Sequence, residues 1–293
     1  MAKVNIQATP RKKKKYESPD SPTSVGWTRP YTVRLADENN PLLLDCGEKL
    51  APIDVEYEIY GRMNARKDNV ILLLHALSGD AHAAGWDEKA REMGRIWRID
   101  RPGWWDAMIG PGKALDTNKY CIICSNVLGG CYGTTGPASI NPKTGKAYGL
   151  DFPIVTVGDW VRLQERLISY LGIKRLYAVV GGSLGGQQAL EWSLAYPDRV
   201  ERTIILASSA RLSAQGLAFN VVARNSILND KKFNNGNYYE GEFPDQGLAI
   251  ARMLGHITYL SETSMREKFG RRFRENGSRP GFHLGVDFEV ESY

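Results

Sequence analysis

The sequence predicts an α/β fold in which helices flank a mostly parallel sheet. Short apolar runs, typical of strands buried on both faces, alternate with helical segments between residues 120 and 207. One run, Leu176–Val180, leads directly into Gly181-Gly-Ser-Leu-Gly185, and a helical segment follows. A G-x-S-x-G on a strand-to-helix turn is the nucleophile elbow of an α/β hydrolase, so we expect that fold.

The elbow makes Ser183 the candidate nucleophile. So tight a turn requires a strained backbone at the serine, and Gly181 and Gly185 are expected because a Cβ would clash where strand and helix cross. The N-terminus of the following helix directs its free N–H groups at the serine oxygen. The alternative is an ordinary glycine-rich strand–helix turn, and the flanking strand and helix favour the elbow.

The other elements follow from apolar patterns along the chain. Strands are predicted at Tyr31–Leu35, Leu42–Leu44, Asp54–Tyr60, Val70–Leu74, Tyr120–Cys124 and Val200–Ala207. Asp54–Tyr60 alternates, with Val55, Tyr57 and Ile59 on one half-buried face. Helices are predicted at Val157–Leu171, Leu184–Tyr196, Leu212–Asn229, Gly247–Leu260 and Thr263–Phe269. The last three form a helical insertion, where a cap over the serine would lie.

Composition separates a basic tail from a globular protein. Residues 1–25 contain six basic and two acidic residues, so +4 of the net charge of +5 lies there. That distribution indicates a solvated, disordered arm at residues 1–27 and not a nucleic-acid-binding face of the folded protein. The alternative is that Arg11 to Lys15 contact RNA or anionic lipid. The core is then residues 28–209 and the cap residues 210–293. Neither a signal peptide nor a membrane-length apolar run is present, so we expect a cytoplasmic protein.

Loops after two central strands are candidate parts of the site. His75-Ala-Leu-Ser-Gly-Asp-Ala-His82 follows Val70–Leu74, where an α/β hydrolase supplies its second oxyanion-hole N–H. The expected chain order of a triad is serine, acid, histidine, so His75 is interpreted as a loop-shaping residue. The glycine-rich stretch 126–137 is either a ligand-binding loop or a long surface loop.

The histidine and cysteine residues indicate neither a clear catalytic base nor a metal site. After Ser183 only His256 and His283 remain, and neither follows a core strand and an acidic loop, so both are weak candidates for the base. Cys121 and Cys124 lie three apart on a strand and therefore face opposite sides. We interpret this pair as buried, reduced thiols, and we expect no metal site.

Together these motifs resemble the homoserine O-acetyltransferase family from Tyr31 to Tyr293. The segments that carry the resemblance are 75–82, 126–137, 181–187, 245–253 and 288–293. It implies acetyl transfer from acetyl-CoA to L-homoserine through an acyl-serine, in methionine biosynthesis, by a homodimer without a bound cofactor. Ser183 resembles the nucleophile, the N–H groups of Leu184 and Leu77 the oxyanion hole, and Arg224 the arginine that binds the substrate carboxylate.

The resemblance also leaves alternatives open. The family's triad Asp and His would come after Tyr293, together with the closing strands and helices, so an inactive fragment is one expectation. A succinyl donor, serine as the acceptor, and a serine hydrolase on the same fold are the others. The alternative for Arg224 is a solvated charge on a cap helix.

Overall fold

The computed structural model describes residues 16–270, in which the chain forms two compact units. The first ends at Arg211 and the second begins at Leu212. The sequence placed the change from core to cap two residues earlier, after residue 209. The first fifteen residues and residues 271–293, which include His283, lie outside the described range.

Strands and helices alternate along the first unit, and helices alone make up the described part of the second. The strands are β1 Trp27–Thr28, β2 Tyr31–Ala36, β3 Leu42–Leu43, β4 Lys49–Leu50, β5 Ile53–Tyr60, β6 Val70–Leu74, β7 Trp86–Asp87, β8 Ile109–Gly110, β9 Leu115–Asp116, β10 Cys121–Ser125, β11 Ala178–Gly182 and β12 Thr203–Leu206. The α-helices are α1 Val157–Tyr170, α2 Leu184–Ala195, α3 Ala214–Leu228, α4 Asp245–Tyr259 and α5 Glu262–Lys268.

A six-stranded sheet in the order β12-β11-β6-β10-β5-β2 forms the centre of the first unit. The first four strands are parallel, whereas β5 is antiparallel to both of its neighbours. Leu74 pairs with Gly181 and Leu73 with Cys124. The carboxyl ends of β6, β10 and β11 therefore meet at one edge, where α/β sheets place their sites. The predicted mostly parallel sheet is confirmed.

Different structures cover the two faces of this sheet. On one face, α1 and α2 pack Leu167, Ile168 and Trp192 against strand residues such as Leu72 and Val179. On the other, Ile71, Leu73 and Val180 contact Ala83, Ala84 and Ile109 from the long connection between β6 and β10. Burial of each large apolar side chain contributes about 1.5–3 kcal/mol to the free energy of folding. The protein therefore needs both the helices on one face and the connection on the other for stability. Within the described range, this connection, with its short strands β7, β8 and β9, covers the second face and contains no α-helix.

Helix α1 shows how local signals set an element's bounds. Thr156 caps its N-terminus, and the side chain of Asp159 reaches back to the Thr156 N–H in a capping box. Gly172 adopts a φ of 70° just after the helix, a conformation that favours glycine. The predicted bounds are therefore correct to within one residue.

Three predictions about the first unit need correction. Leu42–Leu43 pairs with Lys49–Leu50, which the sequence did not suggest as a strand, whereas β2 pairs with β5. Strand β12 is shorter than the predicted Val200–Ala207. The assigned tail also extended too far, because Trp27–Thr28 pairs with β7 and Glu17 forms a 2.9 Å ion pair with Lys113. These contacts join segments distant in sequence, which local patterns do not reveal.

Strand β5 differs most from its prediction. Its alternation suggested a solvated face, yet Glu56 and Glu58 are 2% and 0% exposed. They belong to a buried charge cluster in which these two side chains meet groups from the connection after β6. The other members are Asp80, His82, Asp87, Arg95 and Arg98.

Arg98 is the central cation of the buried charge cluster. Its guanidinium lies 2.6 Å from Asp80, 2.8 Å from Asp87 and 3.6 Å from Glu58. Burial alone would lower the pKa of Arg98, but the neighbouring carboxylates, Asp80 first, outweigh it and raise that pKa. The cluster ties the connection to the sheet through paired charges, the condition under which proteins tolerate buried ions.

The two buried cysteines behave as the sequence predicted. Cys121 packs on the α1–α2 face and Cys124 on the opposite face, and neither forms a disulfide. Burial raises the pKa of the Cys121 thiol to about 11 and that of Cys124 well above its usual value. Both are inert thiols at neutral pH, whereas Cys46 and Cys131 are exposed.

The second unit is helical in its described part, as predicted. Helices α3 and α4 approach closely at Gly247, where a Cβ would lie 2.4 Å from the Ser226 carbonyl oxygen. Several of their apolar side chains, including Leu217, Val222 and Ile257, are exposed. Nowhere between residues 16 and 270 does a helix combine the length and apolar character needed to cross a membrane.

Candidate active site

Ser183 occupies the turn between β11 and α2 with φ 55° and ψ −122°. A non-glycine residue in this region is strained and persists only where its surroundings enforce it. The residue is exposed and stands at the N-cap of α2, whose first N–H groups are directed toward it. The local geometry is therefore that of the predicted nucleophile elbow.

Two glycines make this geometry possible. A Cβ on Gly181 would lie 2.0 Å from the Gly185 carbonyl oxygen, and one on Gly185 would lie 2.0 Å from the Leu74 carbonyl oxygen. Both distances are far below van der Waals contact, so any side chain would push α2 off the sheet. The predicted reason for both glycines is confirmed.

Strand β12 and the segment after it hold the serine backbone in place. The Ser183 N–H donates to the Leu206 carbonyl at 3.0 Å. The Ser208 hydroxyl donates to the Ser183 carbonyl at 2.7 Å. These bonds come from residues that follow α2 in the chain, and they oppose relaxation of the turn.

The loop after β6 lies next to the elbow. Gly79 N–H donates to the Ala76 carbonyl at 3.0 Å, which closes a turn with Leu77 at its outer corner. The Leu77 side chain is 76% exposed. Within the described residues the N–H groups of Leu77 and Leu184 donate to no acceptor. Free donors at these two positions are what an oxyanion hole requires.

His75 holds this loop and is not a base for Ser183. The residue is 3% exposed; its Nδ1 lies 2.8 Å from the Ala76 carbonyl, and its Nε2 accepts from the Val127 N–H at 3.2 Å. An Nε2 that accepts is unprotonated, so the ring is neutral with its proton on Nδ1. Burial lowers the pKa of His75 and favours this neutral form. The interpretation as a loop-shaping residue agrees with these contacts.

The threonine hydroxyl groups of the glycine-rich loop after β10 accept hydrogen bonds from the backbone of β5. Thr134 Oγ1 accepts from the Glu56 N–H at 3.0 Å, and Thr135 Oγ1 accepts from the Asp54 N–H at 2.9 Å. A Cβ on Gly133 would lie 2.3 Å from the Glu56 carboxyl carbon. Much of the loop is therefore packed against β5, which excludes a plain surface loop for these residues.

Asn126, at the start of this loop, makes two side-chain hydrogen bonds that the sequence pattern did not predict. Its side-chain oxygen accepts from the Ala81 N–H at 2.5 Å, and its amide nitrogen donates to Glu56 at 3.1 Å. The residue therefore links the loop after β10 to the far end of the loop after β6. An asparagine directly after a buried strand was the available signal.

The remaining candidates lie in the second unit. Arg224 is exposed on α3 and makes no ion pair with any described residue. His256 lies in α4, with its Nδ1 3.0 Å from the Arg252 carbonyl. In the first unit, neither His75 nor His82 donates to or accepts from the Ser183 hydroxyl. The structure thus brings together Ser183, Leu184 and Leu77, and it leaves the base unassigned.

Comparison with known proteins identifies the family of this chain. A family model described as alpha/beta hydrolase fold matches residues 69–288. The homoserine O-acetyltransferase of Solidesulfovibrio magneticus is 50% identical over 277 residues, which cover 94% of this chain and 68% of that protein. The chain belongs to the homoserine O-acetyltransferase family.

Family members differ in their names and lengths. The homoserine O-acetyltransferase of Methanosalsum zhilinae is 54% identical, and this chain spans only 49% of it. The homoserine O-succinyltransferase of Alkalilimnicola ehrlichii is also 54% identical, and the chain spans 68% of it. The chain therefore covers half to two thirds of these relatives.

Solved structures give the same fold. Homoserine O-acetyltransferase from Bacillus anthracis superimposes with a TM-score of 0.77 at 32% identity, covering 90% of this chain and 68% of that one. Esterase E22 superimposes with a TM-score of 0.76 at 36% identity, covering 90% and 70%. The family's fold thus occurs both in a named acyltransferase and in a named esterase.

Proposed function

We propose that this protein transfers an acetyl group from acetyl-CoA to the hydroxyl of L-homoserine through an acyl-serine on Ser183. The observation that carries the proposal is the strained, exposed serine at an elbow beside two free backbone N–H groups. The names of relatives that are 50–54% identical support the choice of acceptor. The reaction places the protein in methionine biosynthesis, and we propose a cytoplasmic homodimer.

In the first half-reaction the Ser183 Oγ attacks the thioester carbonyl. A base takes the hydroxyl proton, the carbonyl oxygen becomes an oxyanion, and the N–H groups of Leu184 and Leu77 stabilise it. When the intermediate collapses, the carbon–sulfur bond breaks and the CoA thiolate leaves with a proton. A thioester is an activated donor, so acetylation of a serine from it is favourable.

In the second half-reaction the homoserine hydroxyl attacks the acyl-serine. A base takes the homoserine hydroxyl proton, the same oxyanion donors act again, and the bond to Ser183 breaks as its oxygen receives that proton, which regenerates the enzyme. We propose that the Arg224 guanidinium binds the homoserine carboxylate, a pairing that favours arginine. Residues 210–293, as a cap, would exclude water, which otherwise hydrolyses the acyl-enzyme.

A serine hydrolase is the second candidate function. The likeness to esterase E22 favours it, because both reactions share the acyl-serine and differ only in the acceptor. A succinyl donor is a variant of the first proposal, since one relative that is 54% identical is named a succinyltransferase.

Release of CoA by the full-length protein separates these functions. With acetyl-CoA alone, a transferase gives one burst of CoA per active site, and continued release requires homoserine. A hydrolase releases CoA continuously without an acceptor. Parallel assays with succinyl-CoA and with serine identify the preferred donor and acceptor. CoA release that homoserine does not accelerate contradicts the transferase.

Replacing Ser183 by Ala tests the nucleophile directly. We expect turnover to fall by about 10³-fold or more, because the acyl-enzyme does not form. Ser193→Ala on α2 is the control, since among the described residues its hydroxyl donates only to the Leu190 carbonyl, at 2.7 Å. Retention of activity within about tenfold of the parent by Ser183→Ala contradicts the assignment.

A further inference from the structure

We propose that Gln188 is a positioning residue that sets the separation between the two oxyanion donors. The inference rests on the proposed function, in which the N–H groups of Leu184 and Leu77 act on one oxyanion. Leu184 begins α2, whereas Leu77 lies in the loop after β6, so neither element alone fixes the distance between them. A buried contact between the two elements must do so.

Gln188 makes that contact one helical turn after Leu184. Its Nε2 lies 3.2 Å from the His75 carbonyl oxygen and 3.4 Å from the Leu184 carbonyl oxygen. The residue is 0% exposed, so water does not compete for these carbonyls. One amide group thus bridges the first residue of the oxyanion loop and the first residue of the helix.

Two further side chains fix the orientation of this amide. Trp192 Nε1 donates to Gln164 Oε1 at 2.8 Å, and Gln164 Nε2 donates to Gln188 Oε1 at 2.7 Å. An indole N–H only donates, so Gln164 must present its oxygen to Trp192 and its NH₂ group to Gln188. Gln188 must then turn its own NH₂ group toward His75. The buried tryptophan therefore determines which way both amides point.

The other side of the loop is held by β10. His75 Nε2 accepts from the Val127 N–H, while its carbonyl accepts from Gln188. The backbone two residues before Leu77 is thereby fixed between α2 and the start of the loop after β10. A displacement of about 1 Å in a catalytic group can cost about 100-fold in rate, so such bracing matters for an oxyanion hole.

Gln188→Met tests this role because it keeps the volume and removes every hydrogen bond of the amide. In the full-length protein we expect kcat to fall by about 10- to 100-fold while KM for acetyl-CoA changes by less than about twofold, since the oxyanion forms only in the transition state. A variant with unchanged kcat, or with an effect confined to KM, overturns the proposal.

Asn69→Ala is the matched control. Asn69 precedes β6 at its opposite end, and its amide donates to the Arg62 and Lys119 carbonyls, each at 3.0 Å. This change removes side-chain hydrogen bonds to two backbone carbonyls at the opposite end of β6 without touching the oxyanion loop. We expect it to lower the unfolding temperature and leave kcat within about twofold of the parent. An equal loss of kcat in both variants shows a general effect of stability and overturns the proposal.

Gln188→Glu gives a pH dependence of kcat that would not arise if Gln188 served only in packing. A protonated carboxyl both donates to His75 and accepts from Gln164, whereas the carboxylate repels the carbonyl groups around it. The ratio of variant to parent kcat should therefore fall as pH rises through the pKa of the new carboxyl. A ratio independent of pH overturns the proposal, and this variant decides the matter if Gln188→Met does not fold.

The burst of p-nitrophenol from p-nitrophenyl acetate tests the role of Gln188 independently of the proposed substrates. This step acetylates Ser183 through the same oxyanion and requires neither CoA nor homoserine. If homoserine transfer is absent but the parent shows a burst, the burst rate of Gln188→Met still tests the positioning role. An unchanged burst rate contradicts that role whatever the natural acceptor is.

Discussion

At the scale of single residues, the strained backbone of Ser183 is the feature on which the proposed chemistry depends. Its φ of 55° costs of order 1–3 kcal/mol, which the surrounding structure must supply. The bonds from Ser183 N–H to Leu206 and from Ser208 to the Ser183 carbonyl hold the conformation. The exposed hydroxyl is thus presented by the fold and not by its own preference.

The glycines of the elbow give a sharp test of this packing. In Gly181→Ala the new Cβ would lie 2.0 Å from the Gly185 carbonyl oxygen, so we expect a loss of about 3 kcal/mol or more in the free energy of unfolding. In Gly182→Ala the nearest atom is 3.7 Å away, and we expect a change under about 1 kcal/mol. Urea denaturation of both variants measures the difference, and equal losses would refute the packing argument.

Arg224 allows a prediction about substrate use. If its guanidinium binds the homoserine carboxylate, Arg224→Ala weakens the second half-reaction by about 1.5–3 kcal/mol, while the acetylation burst with acetyl-CoA stays unchanged. Arg266→Ala, a change of an exposed arginine on α5, is the control and should alter neither step. A burst that falls as much as overall turnover would give Arg224 another role.

At the scale of elements, the buried charge cluster determines how the connection after β6 covers the sheet. Arg98 and Arg95 lie in that connection, and Glu56 and Glu58 face them from β5. A buried ion pair adds little net stability when complete, but an unpaired member costs several kcal/mol. The cluster therefore makes this cover specific, because only the correct arrangement pairs every charge.

Arg98→Met tests that reasoning. The variant leaves Asp80 and Asp87 buried without their main partner, so we expect a loss of about 3–5 kcal/mol in the free energy of unfolding. Arg66→Met is the control, since Arg66 pairs with Asp68 at the surface with 82% of its side chain exposed, and should cost less than about 1 kcal/mol. Chemical denaturation gives both values, and similar losses would argue against a structural role for the cluster.

At the scale of the whole molecule, the outermost strand of the described sheet is notably apolar. Ile204, Ile205 and Leu206 of β12 are 43%, 41% and 40% exposed. An exposed apolar edge strand offers unpaired backbone groups to another chain. Strand β12 is therefore the surface through which we expect copies of the protein to associate.

We expect the protein to self-associate through β12. Ile204→Lys should shift size-exclusion profiles toward the monomer, because a lysine on an edge strand opposes pairing. Ile154→Lys is the control, since Ile154 is 78% exposed but lies in a loop, and it should leave the profile unchanged. A parent protein that elutes as a single species no larger than a dimer would contradict the expectation.

Much of the fold was predictable because its signals are local. Apolar runs placed β6, β10 and β11, and Asp159 with Gly172 bounded α1. The alternation in β5 misled, because Glu56 and Glu58 are buried by residues far away in sequence. A charged residue carries no sequence mark that distinguishes a buried partner from water.

The sequence by itself determined the α/β-hydrolase sheet, the elbow at Ser183 and the family, because a tight strand-to-helix turn constrains residues that are adjacent in the chain. Only the tertiary structure decided what braces that site. Gln164 and Gln188 look like ordinary helical residues until α1 and α2 pack together, and Trp192 orients both amides only inside that buried contact. Hydrogen bonds between distant segments depend on a geometry that folding creates, and no local pattern encodes it.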